Sequence, residues 1–215
     1  MPLLGINHLA FITEDLTGTI RFWRDLLGLR LHAGIGHEGF RHYFFILDDG
    51  RTQVAFFEYD EAAPMEKKFP GNRTSKPLGF DHVSFTIESR EELFGLKDRL
   101  TAAGLDVHGA VDHGLFWSIY FYDPNNIPLE ATWEFMEVTN PPAVVDDDLL
   151  AIATEGADPQ PGHWPDVTAT TPPQEMTAHS GNGVALRSGL LKQKRARFKD
   201  GLDKEFLRQL TGKND

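Results

Sequence analysis

The sequence predicts an α+β fold. Two β-α-β-β-β modules related by a pseudo-twofold axis form a cupped, mainly antiparallel sheet, and an irregular C-terminal extension ends in a helix. Three observations predict it. Residues 6–13 (INHLAFIT) and 80–87 (FDHVSFTI) repeat one strand pattern: a histidine after Asn or Asp, then an apolar residue, a small one and a phenylalanine. An amphipathic helix pattern follows each of them. Further strands follow each helix, the last two joined by a tight turn.

In chain order, Asp15 caps the first helix, with Leu16, Ile20, Trp23 and Leu27 inward and Gly28 as its stop. Residues 41–47 (RHYFFIL), the turn DDG and residues 53–58 (QVAFFE) complete the first module. In the second module Ser89 and Glu92 form a capping box, Leu93, Leu96 and Leu100 face the core, and Gly104 terminates the helix. Residues 116–122 (FWSIYFY), the turn DPNN and residues 127–130 (IPLE) close it. Neither half has enough apolar surface to stand alone, so the modules, about 4–62 and 78–136, are expected to pair and face a shared cavity.

Charge divides the chain into a folded domain, 1–139, an extension, 140–186, and a terminal helix, 187–215. The domain carries 12 Lys and Arg against 21 Asp and Glu. The extension has 7 acidic residues, no Lys or Arg, 7 of the 13 prolines and only short apolar clusters such as 149–153, so it reads as irregular chain. Trp164 is its apolar anchor, fastening the segment over the domain or a neighbouring subunit. From Arg187 onward there are 9 basic residues against 4 acidic ones. Leu186, Leu190, Phe198, Leu202, Phe206 and Leu210 recur at multiples of four, which predicts one amphipathic helix despite Gly189 and Gly201.

The absence of cysteine in the 215 residues removes thiolate nucleophiles, disulfides and thiolate metal sites, leaving imidazole and carboxylate as ligands. A formal charge of −11 argues against nucleic acid as a partner. No apolar run reaches membrane-spanning length and the start lacks a secretory pattern, so the expectation is a cytoplasmic protein.

The repeat makes a ligand site concrete. His8 and His82 occupy equivalent places on the first strands, and Glu58 and Glu130 are read as equivalent on the last strands. A buried carboxylate on an apolar strand is costly without a compensating cation or donor, so this set points to a metal.

On these residues the chain, over about 4–136, resembles the vicinal oxygen chelate superfamily, which contains glyoxalase I, type I extradiol dioxygenases and bleomycin-resistance proteins. The second half adds Val111-Asp112-His113, five residues, Ile119-Tyr120, two residues, Asp123-Pro124, one residue, Asn126, three residues and Glu130. That spacing is similar to the extradiol ring-cleavage signature, departing at Asn126, which tolerates the left-handed turn that glycine would supply. Spacing alone leaves Tyr120 either facing the metal or packed in the core. Arg41-His42-Tyr43 is similar to the segment that supplies a further histidine near the metal in those enzymes, although His42 also fits a surface edge strand.

The resemblance implies a divalent metal, iron(II) first, with manganese, zinc and nickel as alternatives, held by His8, His82 and Glu130. Such a site leaves room for a bidentate catecholate and dioxygen. His42 is then the candidate base, and His113 and Tyr120 the donors to charge developing on dioxygen. Glu58 as a fourth ligand would instead resemble glyoxalase I and isomerase chemistry. Three matches near the metal outweigh that one, so the expected partners are a small aromatic substrate and dioxygen, and the sequence leaves a homodimer, a module-swapped assembly and a monomer all open. Phe11, Phe44, Phe45, Phe56, Phe85, Phe116 and Trp117 either wall an apolar cup or pack the core. A non-catalytic binding protein is the third reading, against which the three ligand candidates count.

Overall fold

The computed structural model describes residues 6–37, 40–73, 81–141, 143, 151, 157–158, 162, 166–181 and 184–211. Phe80, Trp164 and the cluster 149–153 apart from Ala151 lie outside the described residues. The chain divides into two compact units, Met1–Gln160 and Pro161–Asp215.

In the first unit, β1 (His8–Thr13) leads into α1 (Leu16–Ile20), which continues with wider π-helical turns over Arg21–Leu26. The strands β2 (Arg30–His37), β3 (Phe40–Ile46) and β4 (Gln53–Glu58) follow. The second module repeats the plan with β5 (Val83–Thr86), α2 (Arg90–Ala102), β6 (His108–Asp112), β7 (Phe116–Tyr122) and β8 (Pro128–Glu134). The strand orders are β1-β4-β3-β2 and β5-β8-β7-β6, each with one parallel pair beside two antiparallel ones. The paired β-α-β-β-β architecture is therefore as the sequence predicts, built as two separate four-stranded sheets.

Local chemistry sets the boundaries. The Asp15 carboxylate accepts the Gly18 N–H at 2.9 Å, and the Ser89 hydroxyl accepts the Glu92 N–H at 3.2 Å, so each cap satisfies an otherwise orphaned helix donor. The β7–β8 turn places Asn126 at φ 59°, the left-handed conformation its short polar side chain tolerates.

Both sheets contribute one face to a common core. Leu16, Phe22, Trp23, Phe45, Val54 and Phe56 from the first module pack with Val83, Leu93, Leu96, Leu100, Ile119, Phe121 and Leu129 from the second. Trp23 is fully buried at the junction, against Phe56 of its own sheet and Phe85 of the other. Because side chains alternate along a strand, burying these residues turns the opposite faces, which carry His8 and His82, away from the shared core. Among the described residues the two sheets join through their helix-bearing faces, so the faces that carry His8 and His82 do not meet across the expected common cavity. Of the aromatic residues considered as cup walls, Phe11, Phe45, Phe56, Phe85 and Trp117 belong to or pack against this core.

The junction is locked by a buried carboxylate. Asp123 accepts the Trp23 indole N–H at 3.3 Å, the Asn125 N–H at 2.8 Å and the Ile127 N–H at 2.9 Å. Burial pushes its carboxyl above the ordinary value, against the pull of these donors. Asp123→Ala should cost about 3 kcal/mol, since it strands several buried donors at once, and chemical denaturation would read this as a lower midpoint at unchanged slope.

Among the described residues of the second unit the terminal stretch forms two α-helices, α3 (Val184–Lys192) and α4 (Lys204–Thr211), where the periodicity predicts one. Lys194 at φ 55° and Gly201 at φ 85° adopt left-handed backbone that no α-helix can carry, which breaks the apolar register between them. Among the described residues no helix is long and apolar enough to cross a membrane.

Candidate metal centre

The outward face of the second sheet gathers four of the predicted site residues. His82 immediately precedes β5, Tyr120 lies on β7 opposite Glu130 of β8, and Glu130 is in turn opposite Ser84 of β5. His82 Nε2 lies 2.9 Å from Glu130 Oε2, and the Tyr120 hydroxyl lies 2.7 Å from His113 Nε2. A cavity of about 400 Å³ opens here, lined by Phe69, Pro70, Gly71, His82, His108, Val111, His113, Phe116, Tyr120 and Glu130.

Glu130 is 5% exposed, and its environment explains why a carboxylate is tolerated there. Burial raises its pKa, but the Ser118, Tyr120 and Ser84 hydroxyls and the neighbouring His82 imidazole outweigh this and hold it below the ordinary value. Burial, aided by the neighbouring Glu130, pushes the Tyr120 phenol well above its ordinary range, so it stays protonated and able to donate. His82 sits between two carboxylates, with Nδ1 2.7 Å from Asp81 Oδ2. A neutral ring can donate to only one of them, and donation to Asp81 leaves the Nε2 lone pair directed at the Glu130 side.

Two ligands at about 2.1 Å from a metal and at right angles stand about 3.0 Å apart, so the His82–Glu130 separation fits adjacent corners of an octahedral ion. The donor types fit equally well, since one imidazole and one carboxylate suit first-row divalent metals.

His8 and His42 are elsewhere, on the outward face of the first sheet. His8 Nδ1 bonds Asn7 Oδ1 at 2.8 Å, and its ring meets Phe44 edge-on at 5.7 Å. His42 stacks on Phe57 at 3.6 Å, and its Nε2 is buried with no hydrogen-bond partner among the described residues. Burial, with the neighbouring His8, holds the His42 pKa below its ordinary value. Among the described residues no three His, Asp, Glu or Cys side chains converge closely enough to hold a metal, so His8 does not join His82 and Glu130 within one chain.

Glu58 is not the counterpart of Glu130, which corrects the equivalence read from the sequence. Glu130 pairs with Ser84, two residues beyond His82, whereas Glu58 pairs with Thr13, five beyond His8. The matching position in the first module is Ala55, the partner of Ala10. The odd offset puts Glu58 on the helix-bearing face, where it accepts the Leu16 N–H at 2.9 Å and pairs with Arg41. Glu58→Gln should leave metal affinity within about twofold of wild type while lowering stability by about 1 kcal/mol through the weakened helix start, measurable by metal titration and thermal unfolding on the same samples.

Sequence reasoning missed Asp81, Lys68 and Phe69. Asp81 contacts His82, pairs with Lys68 and accepts the Gly71 N–H at 3.0 Å. Lys68, His82 and the Gly71 N–H hold its carboxyl well below the usual range. The repeated Asn or Asp before each histidine was the available signal.

Comparison with known proteins agrees with this architecture. The family model described as "Glyoxalase/Bleomycin resistance protein/Dioxygenase superfamily" matches residues 5–131. The glutathione transferase FosA of Serratia marcescens is 31% identical over 134 residues, 60% of this chain and 79% of the relative. Biphenyl-2,3-diol 1,2-dioxygenase 3 of Rhodococcus globerulus is 26% identical over 125 residues, 58% of this chain and 60% of the relative, so this chain spans less than two-thirds of that protein. A solved glyoxylase/bleomycin resistance protein/dioxygenase domain from Frankia sp. EAN1pec matches with a TM-score of 0.53 at 24% identity, covering 62% of this chain and 99% of that one, a likeness of fold.

Proposed function

This chain belongs to the glyoxalase/bleomycin resistance protein/dioxygenase superfamily, and from that premise we propose that it is a metal-dependent extradiol dioxygenase that cleaves a catechol-like ring. The observation that carries the reading is the grouping of His82, Glu130, His113 and Tyr120 around one cavity walled by Phe69 and Phe116. Among the described residues lining it none is Lys or Arg, which favours an apolar ring bearing two hydroxyls over a multiply charged substrate.

His82 and Glu130 would hold the metal, with His8 as third ligand. Iron(II) bound there would chelate the two ring oxygens and activate dioxygen beside them. Phe69 and Phe116 exclude water from the ring and orient its plane. The Tyr120 hydroxyl and His113 Nε2 lie 2.7 Å apart, within hydrogen-bond reach, and either group can serve as the donor. The pair can then take a proton from a substrate hydroxyl or donate to negative charge growing beside it.

The third ligand implies a second copy of the chain. The outward face of the first sheet exposes His8, Ala10 and Ile12, the last at 55%, and buries the His42 Nε2 without a partner among the described residues. An apolar strip flanking a metal-ligand type is unusual on a surface left to solvent. Placed over the second sheet of a partner copy, this face would deliver His8 and the candidate base His42 to His82 and Glu130. The homodimer is thus part of the proposed function.

A second reading, metal-dependent transfer of glutathione, is favoured by the 31% identity to the transferase. Isomerase chemistry with Glu58 as a ligand loses support, because Glu58 lies on the opposite face of its sheet. Anaerobically purified protein loaded with iron(II) is expected to consume dioxygen with a panel of catechols and form a yellow ring-cleaved product. Glutathione consumption by manganese-loaded protein with an electrophile, and no dioxygen uptake with any catechol, would replace the first reading with the second.

A further inference from the structure

The groups around His82 form a connected unit that extends beyond the proposed ligands. Asp81 stands on the segment before β5, and a single oxygen of it, Oδ2, lies 2.7 Å from His82 Nδ1 and accepts the Gly71 N–H at 3.0 Å. Its other oxygen pairs with Lys68. Lys68, Phe69, Pro70 and Gly71 form a strap along the cavity, to which Phe69, Pro70 and Gly71 contribute lining. The strap is fastened a second time by the Tyr122 hydroxyl, which donates to the Lys68 carbonyl at 2.7 Å. Phe69 is thereby held edge-on to His108 at 4.9 Å and tilted against Tyr120 at 5.6 Å.

We propose that Asp81 is a positioning residue that fixes two things with one carboxylate, the ring of His82 and the strap whose Phe69 borders the substrate cavity. An acceptor on Nδ1 fixes which ring nitrogen carries the proton and the angle at which Nε2 is presented. The first module repeats the device independently, with Asn7 Oδ1 2.8 Å from His8 Nδ1. Two unlike side chains, an amide and a carboxylate, make the same bond to the ring nitrogen pointing away from the proposed ligand atom. The carboxylate is present in the module where a strap must also be held, because only it offers a second charged oxygen to Lys68. This inference rests on the reading of His82 as a metal ligand.

The substitutions separate the two duties. Asp81→Asn keeps an oxygen for His82 and Gly71 but removes the charge that pairs with Lys68, whereas Asp81→Ala removes both. The full-length chain, stripped with chelator, is titrated with Co(II) while its visible absorption is followed, and Mn(II) affinity is obtained by competition. Asp81→Ala is expected to weaken Co(II) binding about 10–100-fold and to alter the band shape, whereas Asp81→Asn stays within about threefold of wild type. Lys68→Met is expected to leave the Co(II) spectrum intact while raising KM for the aromatic substrate with little change in kcat. Equal losses in Asp81→Ala and Asp81→Asn overturn the proposal, and so does a wild-type spectrum and affinity in Asp81→Ala when His82→Ala loses both. Wild-type Co(II) binding by His82→Ala overturns the metal reading itself and this inference with it.

Discussion

His82→Ala should abolish ring cleavage and weaken Mn(II) binding by more than about 100-fold, beyond the usual effect of removing a group that merely supports a ligand. Its fold should survive. His82 precedes β5 and its side chain is 30% exposed, so truncation opens no core cavity. The Ser84, Ser118 and Tyr120 hydroxyls remain around Glu130 to offset its burial. Glu130→Gln should be as damaging to binding, because the amide keeps the shape of the carboxylate but removes the charge that attracts the cation. Metal titration with circular dichroism separates the outcomes. Retained fold with lost binding supports the assignment, and retained binding in both variants would sink it. Glu58→Gln is the internal control, since a glutamate on the opposite sheet face removes a similar charge without touching the cavity.

The contrast between the two glutamates shows where sequence reasoning succeeded and why it stopped. Strand existence, both helix caps and the module repeat were legible because they depend on local pattern and on capping chemistry within a few residues. Spacing alone left Tyr120 open between the metal and the core, and only the resemblance suggested that His113 and Tyr120 would stand near His82 and Glu130, which the ladder register then brings to one face. Glu58 was misread because the comparison was anchored at strand ends, AFFE against IPLE, while facing direction is set by ladder register. A slip of three residues exchanges the faces. The pairing of the modules was expected but the way their sheets join was hidden, because Trp23 and Asp123, which join them, are 100 residues apart and neither carries a short-range signal of its partner. The C-terminal periodicity failed for a different reason: apolar spacing at multiples of four says nothing about the positive φ at Lys194 and Gly201.

Two inactive variants, His8→Ala and Glu130→Gln, should restore activity to one another when expressed together. In the proposed dimer each site takes His8 from one copy and His82 with Glu130 from the other. A mixed dimer therefore places both defects in one site and leaves the other intact, so mixed dimers purified through two different tags should show about half the wild-type activity per dimer. Each variant alone should stay inactive, because every site in its homodimer carries one defect. The burial pattern of β1 makes His8 available to a partner copy: His8, Ala10 and Ile12 face outward while the intervening Leu9, Phe11 and Thr13 turn toward the shared core. If the histidine served a site within its own chain, a mixed dimer would contain only defective sites and no activity would return. The same experiment reads the role of His42: combined with Glu130→Gln, His42→Ala should complement in the same manner, because the candidate base lies on the same sheet face as His8 and must cross the interface with it.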